Sequence, residues 1–159
     1  MVELIVTYMD SAMHKKWVLV ADGHRARVFE VDETSDALIE LDAFLNPEAR
    51  MAEHELATDA RGQFSSKGKH AQSSTAEPSI TALRHSDELF CKQIASHLEQ
   101  HYDKHEYNEI SIVAAPAFLG MLRKKIPKKI HNIIKEEIPK DVTSLTPPKM
   151  HAYLKEHLH

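Results

Sequence analysis

The segment WVLVA, Trp17–Ala21, restricts the fold of this chain more than any other. Five consecutive apolar residues, rich in valine, leave no side to face water. Such a run predicts a central strand covered on both faces, and therefore a sheet with helices on each side. EISIVAA, Glu109–Ala115, repeats the pattern and predicts a second buried strand.

Around Trp17–Ala21 the sequence reads as antiparallel. Asp22-Gly23-His24 follows as a turn, because Asp-Gly favours tight hairpin geometry. RARVFEV, Arg25–Val31, is the return strand. ALIELDAFL, Ala37–Leu45, predicts a third, peripheral strand with Ala37, Ile39, Leu41, Ala43 and Leu45 on one face, stopped by Asn46-Pro47. From about residue 46 to 84 no helical or strand period is sustained, although PEARMAEHELA has the composition of a short helix. Loops of this length are functional or disordered in compact domains.

Ser86 ahead of Asp87 and Glu88 marks a helix start, and Leu89, Phe90, Ile94, Leu98 and Tyr102 form its apolar stripe. Pro116 suits the first turn of a helix carrying Phe118, Leu119 and Leu122. Pro127 restarts it, with Ile126, Ile130, Ile133 and Ile134 on one side. DVTSL, Asp141–Leu145, predicts the last strand, and Thr146-Pro147 opens a helix carrying Met150, Leu154 and Leu158. The order β-β-β-(long loop)-α-β-α-β-α predicts an α/β domain with a mixed five-stranded sheet of ribonuclease-H-like arrangement. Residues 1–15 read as an N-terminal extension, with Met13 an alternative start, and 16–159 as one domain, the size a 159-residue chain supports.

The composition, 42% hydrophobic and 28% charged, is that of a globular protein. One cysteine, Cys91, excludes an intramolecular disulfide. No run approaches the roughly 20 apolar residues of a membrane span, and MVELIVTYMD lacks the flanks of a signal peptide. The expectation is a cytoplasmic protein with no membrane partner. A net charge of -4 excludes a uniformly basic surface. It does not exclude a basic patch, and Arg123, Lys124, Lys125, Lys128, Lys129 and Lys135 precede the first following acid, Glu136.

Three segments together resemble a known family: WVLVADGHRARVFEV at 17–31, LNPEAR…DARGQFSSKGKHA at 45–71, and VAAPAFLGMLRKKI…EIPKDVTSL at 113–145. They are similar to the bacterial host attachment proteins over about residues 16–146, most specifically in the pattern APxFLGxLR, Ala115–Arg123. The resemblance implies a relationship to the middle domain of archaeal and eukaryotic class I release factors. There, a Gly-Gly-Gln loop between the third strand and the long helix promotes peptidyl-tRNA hydrolysis. ARGQF occupies that slot here, with Arg61 in place of the first glycine and Gly62-Gln63 following.

The chemical candidates follow from these readings. A polar arm over 59–84 would contact RNA, tRNA or the ribosome through Arg61, Lys67, Lys69 and His70. The basic helix would add Arg123, Lys124, Lys125, Lys128 and Lys129 against phosphates. Asp22 reads as a turn residue, because two-metal chemistry needs converging carboxylates and the end of the second buried strand offers none. His97, His101 and His105 share one helix face if the helix extends that far, and the first two make a two-ligand metal candidate short of a full set. Cys91 reads as a buried hydrophobe. There is no P-loop, dinucleotide fingerprint or nucleophile–base signature, so no cofactor is expected. The leading expectation is a non-catalytic RNA-contacting accessory domain. A protein-interaction or regulatory module, docking a partner protein through the 59–84 loop, is the alternative. A peptidyl-tRNA esterase-like hydrolase centred on Gly62-Gln63 is the third.

Overall fold

A computed structural model describes residues 14–62 and 76–159. The chain runs β1 (Lys16–Ala21), β2 (Arg25–Val31), β3 (Leu38–Leu45), α1 (Pro47–Gly62), α2 (Ala76–Asp103) and β4 (Glu109–Ala114). It continues with α3 (Pro116–Lys125), the single turn α4 (Lys128–His131), β5 (Ile134–Pro139) and α5 (Pro147–His157). The strands form one mixed sheet in the order β3-β2-β1-β4-β5. β1 is antiparallel to β2 and parallel to β4, β3 is antiparallel to β2, and β5 is parallel to β4.

β1 is the middle strand, and it is buried on both faces as its sequence requires. Trp17, Leu19 and Ala21 point toward α2, α3 and α4, where they meet Phe90, Ile94, Leu98, Phe118, Leu122 and Ile130. Val18 and Val20 point the other way, into a smaller cluster with Phe29, Val113, Val142, Met150 and Leu154 beneath α5. The result is three layers with helices on both faces. Pro116 and Pro147 each open a helix at its first turn, as expected.

Three expectations are corrected. The stretch 46–84 is not one long loop. Residues 47–62 are helical and α2 begins at Ala76, ten residues before Ser86. The Ala- and Glu-rich composition of α1 favours a helix without needing a deep apolar stripe. Ser86, expected as a cap, lies inside α2, where its buried hydroxyl donates to Asn46 Oδ1 at 3.1 Å.

The last strand is Ile134–Pro139, not Asp141–Leu145. An irregularity opposite Ile110/Ser111 leaves Lys135 without a directly opposed residue, which puts Ile134 and Ile138 against different clusters. A strand whose apolar residues change face shows no period of two.

The apolar face expected for β3 is the third correction. Pairing shifts between Val28/Phe29, so Leu41 is the extra residue of a bulge. Leu38 therefore packs under α5 while Phe44 packs under α2. Ile39, Leu41 and Leu45 are exposed by 48%, 44% and 74%. Replacing Leu19 with alanine is predicted to cost about 2–5 kcal/mol, whereas Leu45→Ala should stay within about 0.5 kcal/mol. Urea unfolding of the two variants measures the contrast, and similar losses would contradict this assignment of faces.

Candidate functional site

The carboxyl ends of β1 and β4 point to the same edge of the sheet, and buried polar groups collect there. Asp22 follows β1 directly. Its Oδ1 accepts the backbone N–H groups of His24 and Arg25, both at 2.8 Å. Its Oδ2 accepts the Thr143 hydroxyl at 2.5 Å. That hydroxyl also lies 2.8 Å from Asp141 Oδ1, which accepts the Thr143 N–H at 3.1 Å. Asp22 thus closes the β1–β2 turn and ties it to the turn after β5, as its reading as a turn residue requires.

Asn46 fastens the helical hairpin to the same turn. Its N–H donates to His24 O at 2.7 Å and its Nδ2 to Gly23 O at 3.0 Å, while its Oδ1 receives Ser86. Asp87 lies directly over Gly23, and a methyl group at Gly23 would come 2.8 Å from Asp87 Oδ1. That oxygen is buried and has no hydrogen-bond partner among the described residues. Burial, reinforced by Glu53 and Asp22 and opposed by His24, holds the Asp87 carboxyl above its usual range. His24 in turn reaches Glu53 Oε1 at 2.9 Å. Asn46 and Ser86 were legible only as a strand terminator and a helix start, because a buried polar clamp between residues 40 positions apart has no local signature.

The basic run is partly neutralised. Arg123 pairs with Glu137 through Nε at 2.7 Å, and Lys129 with Asp103 and Glu99 at 2.6 and 3.0 Å. Lys135 is on β5, outside the helix, 3.6 Å from Glu109. Lys124, Lys125 and Lys128 are exposed at the junction of α3 and α4 and have no ion-pair partner among the described residues. Of the candidates in the 59–84 segment, Arg61 and Gly62 are the last two residues of α1, so Gly62 ends a helix. Gln63, Lys67, Lys69 and His70 lie outside the described residues.

His97 and His101 come together on α2, with ring centres 4.2 Å apart. His105 does not join them, since α2 ends at Asp103 and His105 adopts a left-handed turn conformation with φ 57. The pair lies over aromatic rings. Trp17 stacks on Tyr107 at 4.3 Å, and Phe44 meets His97 edge-on at 4.7 Å. Asp42 lies 3.9 Å from His97, and Glu106 binds the Nδ1 of His101. Among the described residues no group of three or more His, Cys, Asp or Glu side chains is arranged to hold a metal ion. Burial, with His101 adding to it, lowers the His97 pKa against the pull of Asp42 and Glu106. Cys91 is fully buried and its thiol is pushed up to about 12, the behaviour of a core residue.

These features define the class: an α/β domain with a mixed five-stranded sheet, a polar rim at the carboxyl ends of its parallel strands, and a lysine corner on α3–α4. The chain belongs to the family described as "Protein required for attachment to host cells", whose model matches residues 17–154. No curated protein matches it. Among solved structures, the type II variant of the Ppx/GppA phosphatase of Aquifex aeolicus is similar, at 8% identity and a TM-score of 0.37. The match covers 79% of this chain and 35% of that one, so the chain spans about a third of that structure's length. No helix among the described residues is long and apolar enough to cross a membrane.

Two predictions follow from this geometry. Gly23→Ala should destabilise by about 1 kcal/mol by displacing Asp87, and an Asp87→Ala background should remove most of that loss. A double-mutant cycle reads the coupling, and strict additivity would refute the contact. For His97, the folded-state pKa lies below the ordinary histidine value of about 6.5. Its neutral form is favoured by folding, so its contribution is present above about pH 6.5 and declines as pH falls from there toward the folded value. His97→Gln should flatten the stability profile over that window in urea titrations.

Proposed function

We propose that the domain, over residues 16–159, serves host attachment indirectly, as a non-catalytic accessory that contacts RNA, tRNA or the ribosome in the cytoplasm. The observation that carries this reading is the lysine corner. After acids from β5 and α2 have neutralised their neighbours, Lys124, Lys125 and Lys128 remain as adjacent exposed charges on a chain of net charge -4. They sit on short, well-packed elements anchored by Leu122, Ile126 and Ile130, which fixes their spacing against a phosphate backbone. Arg61, Lys67 and Lys69 of the 59–84 segment would extend the contact.

The strand order β3-β2-β1-β4-β5 supports a ribonuclease-H-like assignment, while the relationship to release-factor middle domains rests on the sequence resemblance alone. Hydrolysis of peptidyl-tRNA rests only on Gly62-Gln63, and a Gln63→Ala variant that retained full activity in a release assay would remove it. The alternative, a protein-interaction module, is favoured by the exposed Ile39, Leu41 and Leu45 of β3.

The test is co-sedimentation with bacterial ribosomes and bulk tRNA across a salt series. Each phosphate neutralised contributes about 0.7–0.9 to the logarithmic salt slope. Reversing Lys124, Lys125 and Lys128 to glutamate should therefore reduce the slope by about 2–3 and abolish binding near physiological salt. Absence of binding even at low salt refutes the RNA reading. Binding that is insensitive to salt and lost in an Ile39→Asp/Leu41→Asp variant supports the protein-interaction module.

A further inference from the structure

We propose that a pocket between the β2–β3 turn and the end of α5 binds a free apolar α-amino acid. The cavity is about 240 Å³ and its floor is apolar, made by Val31, Leu38, Leu154 and Leu158. Asp36 stands on one wall, and His151 and Lys155, one helical turn apart, stand on the other.

The charges on the two walls are spare. The β2–β3 turn is built by Asp32, whose carboxylate accepts Thr34 N–H at 3.0 Å and the hydroxyls of Thr34 and Ser35 at 2.7 and 2.8 Å. Asp32 N–H then closes onto Ala37 O at 2.9 Å. The Asp36 carboxylate takes no part in this. Among the described residues its backbone oxygen alone is engaged, by His151 Nε2 at 3.3 Å. Asp36 nevertheless holds a left-handed conformation with φ 53, which most residue types avoid. Neither its carboxylate nor the Lys155 ammonium has an ion-pair partner among the described residues, and they are not paired with each other.

The neighbouring cavity, which shares Leu38 and His151, differs in this respect. Its charges, Arg27 and Glu40, satisfy each other through two hydrogen bonds of 2.9 and 2.8 Å. Of these two pockets, only the first is lined by charges without a partner among the described residues. An anion and a cation on opposite sides of an aliphatic floor complement one ligand chemistry: an ammonium toward Asp36, a carboxylate toward Lys155, and an apolar side chain below.

A ligand of this size at an open rim should bind with a Kd of about 0.1–10 mM. The test is an amide chemical-shift titration of the full chain with L-leucine, L-phenylalanine, N-acetyl-L-leucine and L-leucinamide. The two amino acids should give saturable shifts at residues 31, 36, 38, 151 and 158. The analogues lacking the ammonium or the carboxylate should bind at least about tenfold more weakly, as should Asp36→Asn and Lys155→Met. Asparagine tolerates the left-handed conformation, so Asp36→Asn removes the charge without disturbing the turn. No saturable shift by about 50 mM, equal binding of either capped analogue, or full affinity in both variants would overturn the proposal.

Discussion

Burial of β1 on both faces is the constraint on which the rest of the molecule depends. A strand with no wet face needs two layers of helices and a neighbour on each edge. β2 supplies one edge through an immediate hairpin, so that side is antiparallel. β4 supplies the other only after the long excursion through α1 and α2, so that side is parallel. The mixed sheet is the consequence. β1 and β4 then end on the same rim, where Asp22 after β1 meets Thr143 from the turn after β5, while Asn46 after β3 reaches the adjoining turn. Asp22 is central to the rim because it is the first residue after β1, where the turn leaves backbone N–H groups needing an acceptor.

The rim is held by partners remote in sequence. Thr143 reaches Asp22 from 121 positions away, and Ser86 reaches Asn46 from 40. Each is buried, so leaving either side unpaired would cost more than an exposed hydrogen bond. Asn46 in particular orients the start of α1 without capping it, because its side chain is directed to Gly23 and Ser86. Docking of the helical hairpin onto the sheet therefore rests on polar geometry at one point and on Ala49, Phe90 and Ile94 nearby.

How much of this was legible in the sequence depended on whether the signal was local. β1, β4 and the proline-led starts of α3 and α5 were, because continuous apolar runs and Pro at a first turn need no tertiary information. β3 and β5 were read less well, since bulges at Leu41 and Lys135 shift the alternation and put successive apolar residues on opposite faces. The start of α1 was visible in the composition of PEARMAEHELA, but its full length and the first ten residues of α2 were missed, because their described side chains are mostly exposed and so leave no stripe. Among the candidate residues, the basic run was visible as a run. Its surface charge was not, because the acids that neutralise Arg123 and Lys129 come from β5 and α2. A row of lysines in sequence becomes a basic surface only where the fold leaves it unpaired.

Two partly buried titratable groups on α2, His97 and Asp87, respond to acid in opposite directions. His97 has its pKa lowered by burial, so acidification below about pH 6.5 charges it more readily in the unfolded chain and weakens the fold. Asp87 has its pKa raised by burial, so the fold carries a penalty at neutral pH that fades as pH falls through the raised value. In each case burial is the largest cause and the fold disfavours the charged form, so acidification weakens the docking of α2 at His97, against Trp17 and Phe44, and relieves it at Asp87, over Gly23.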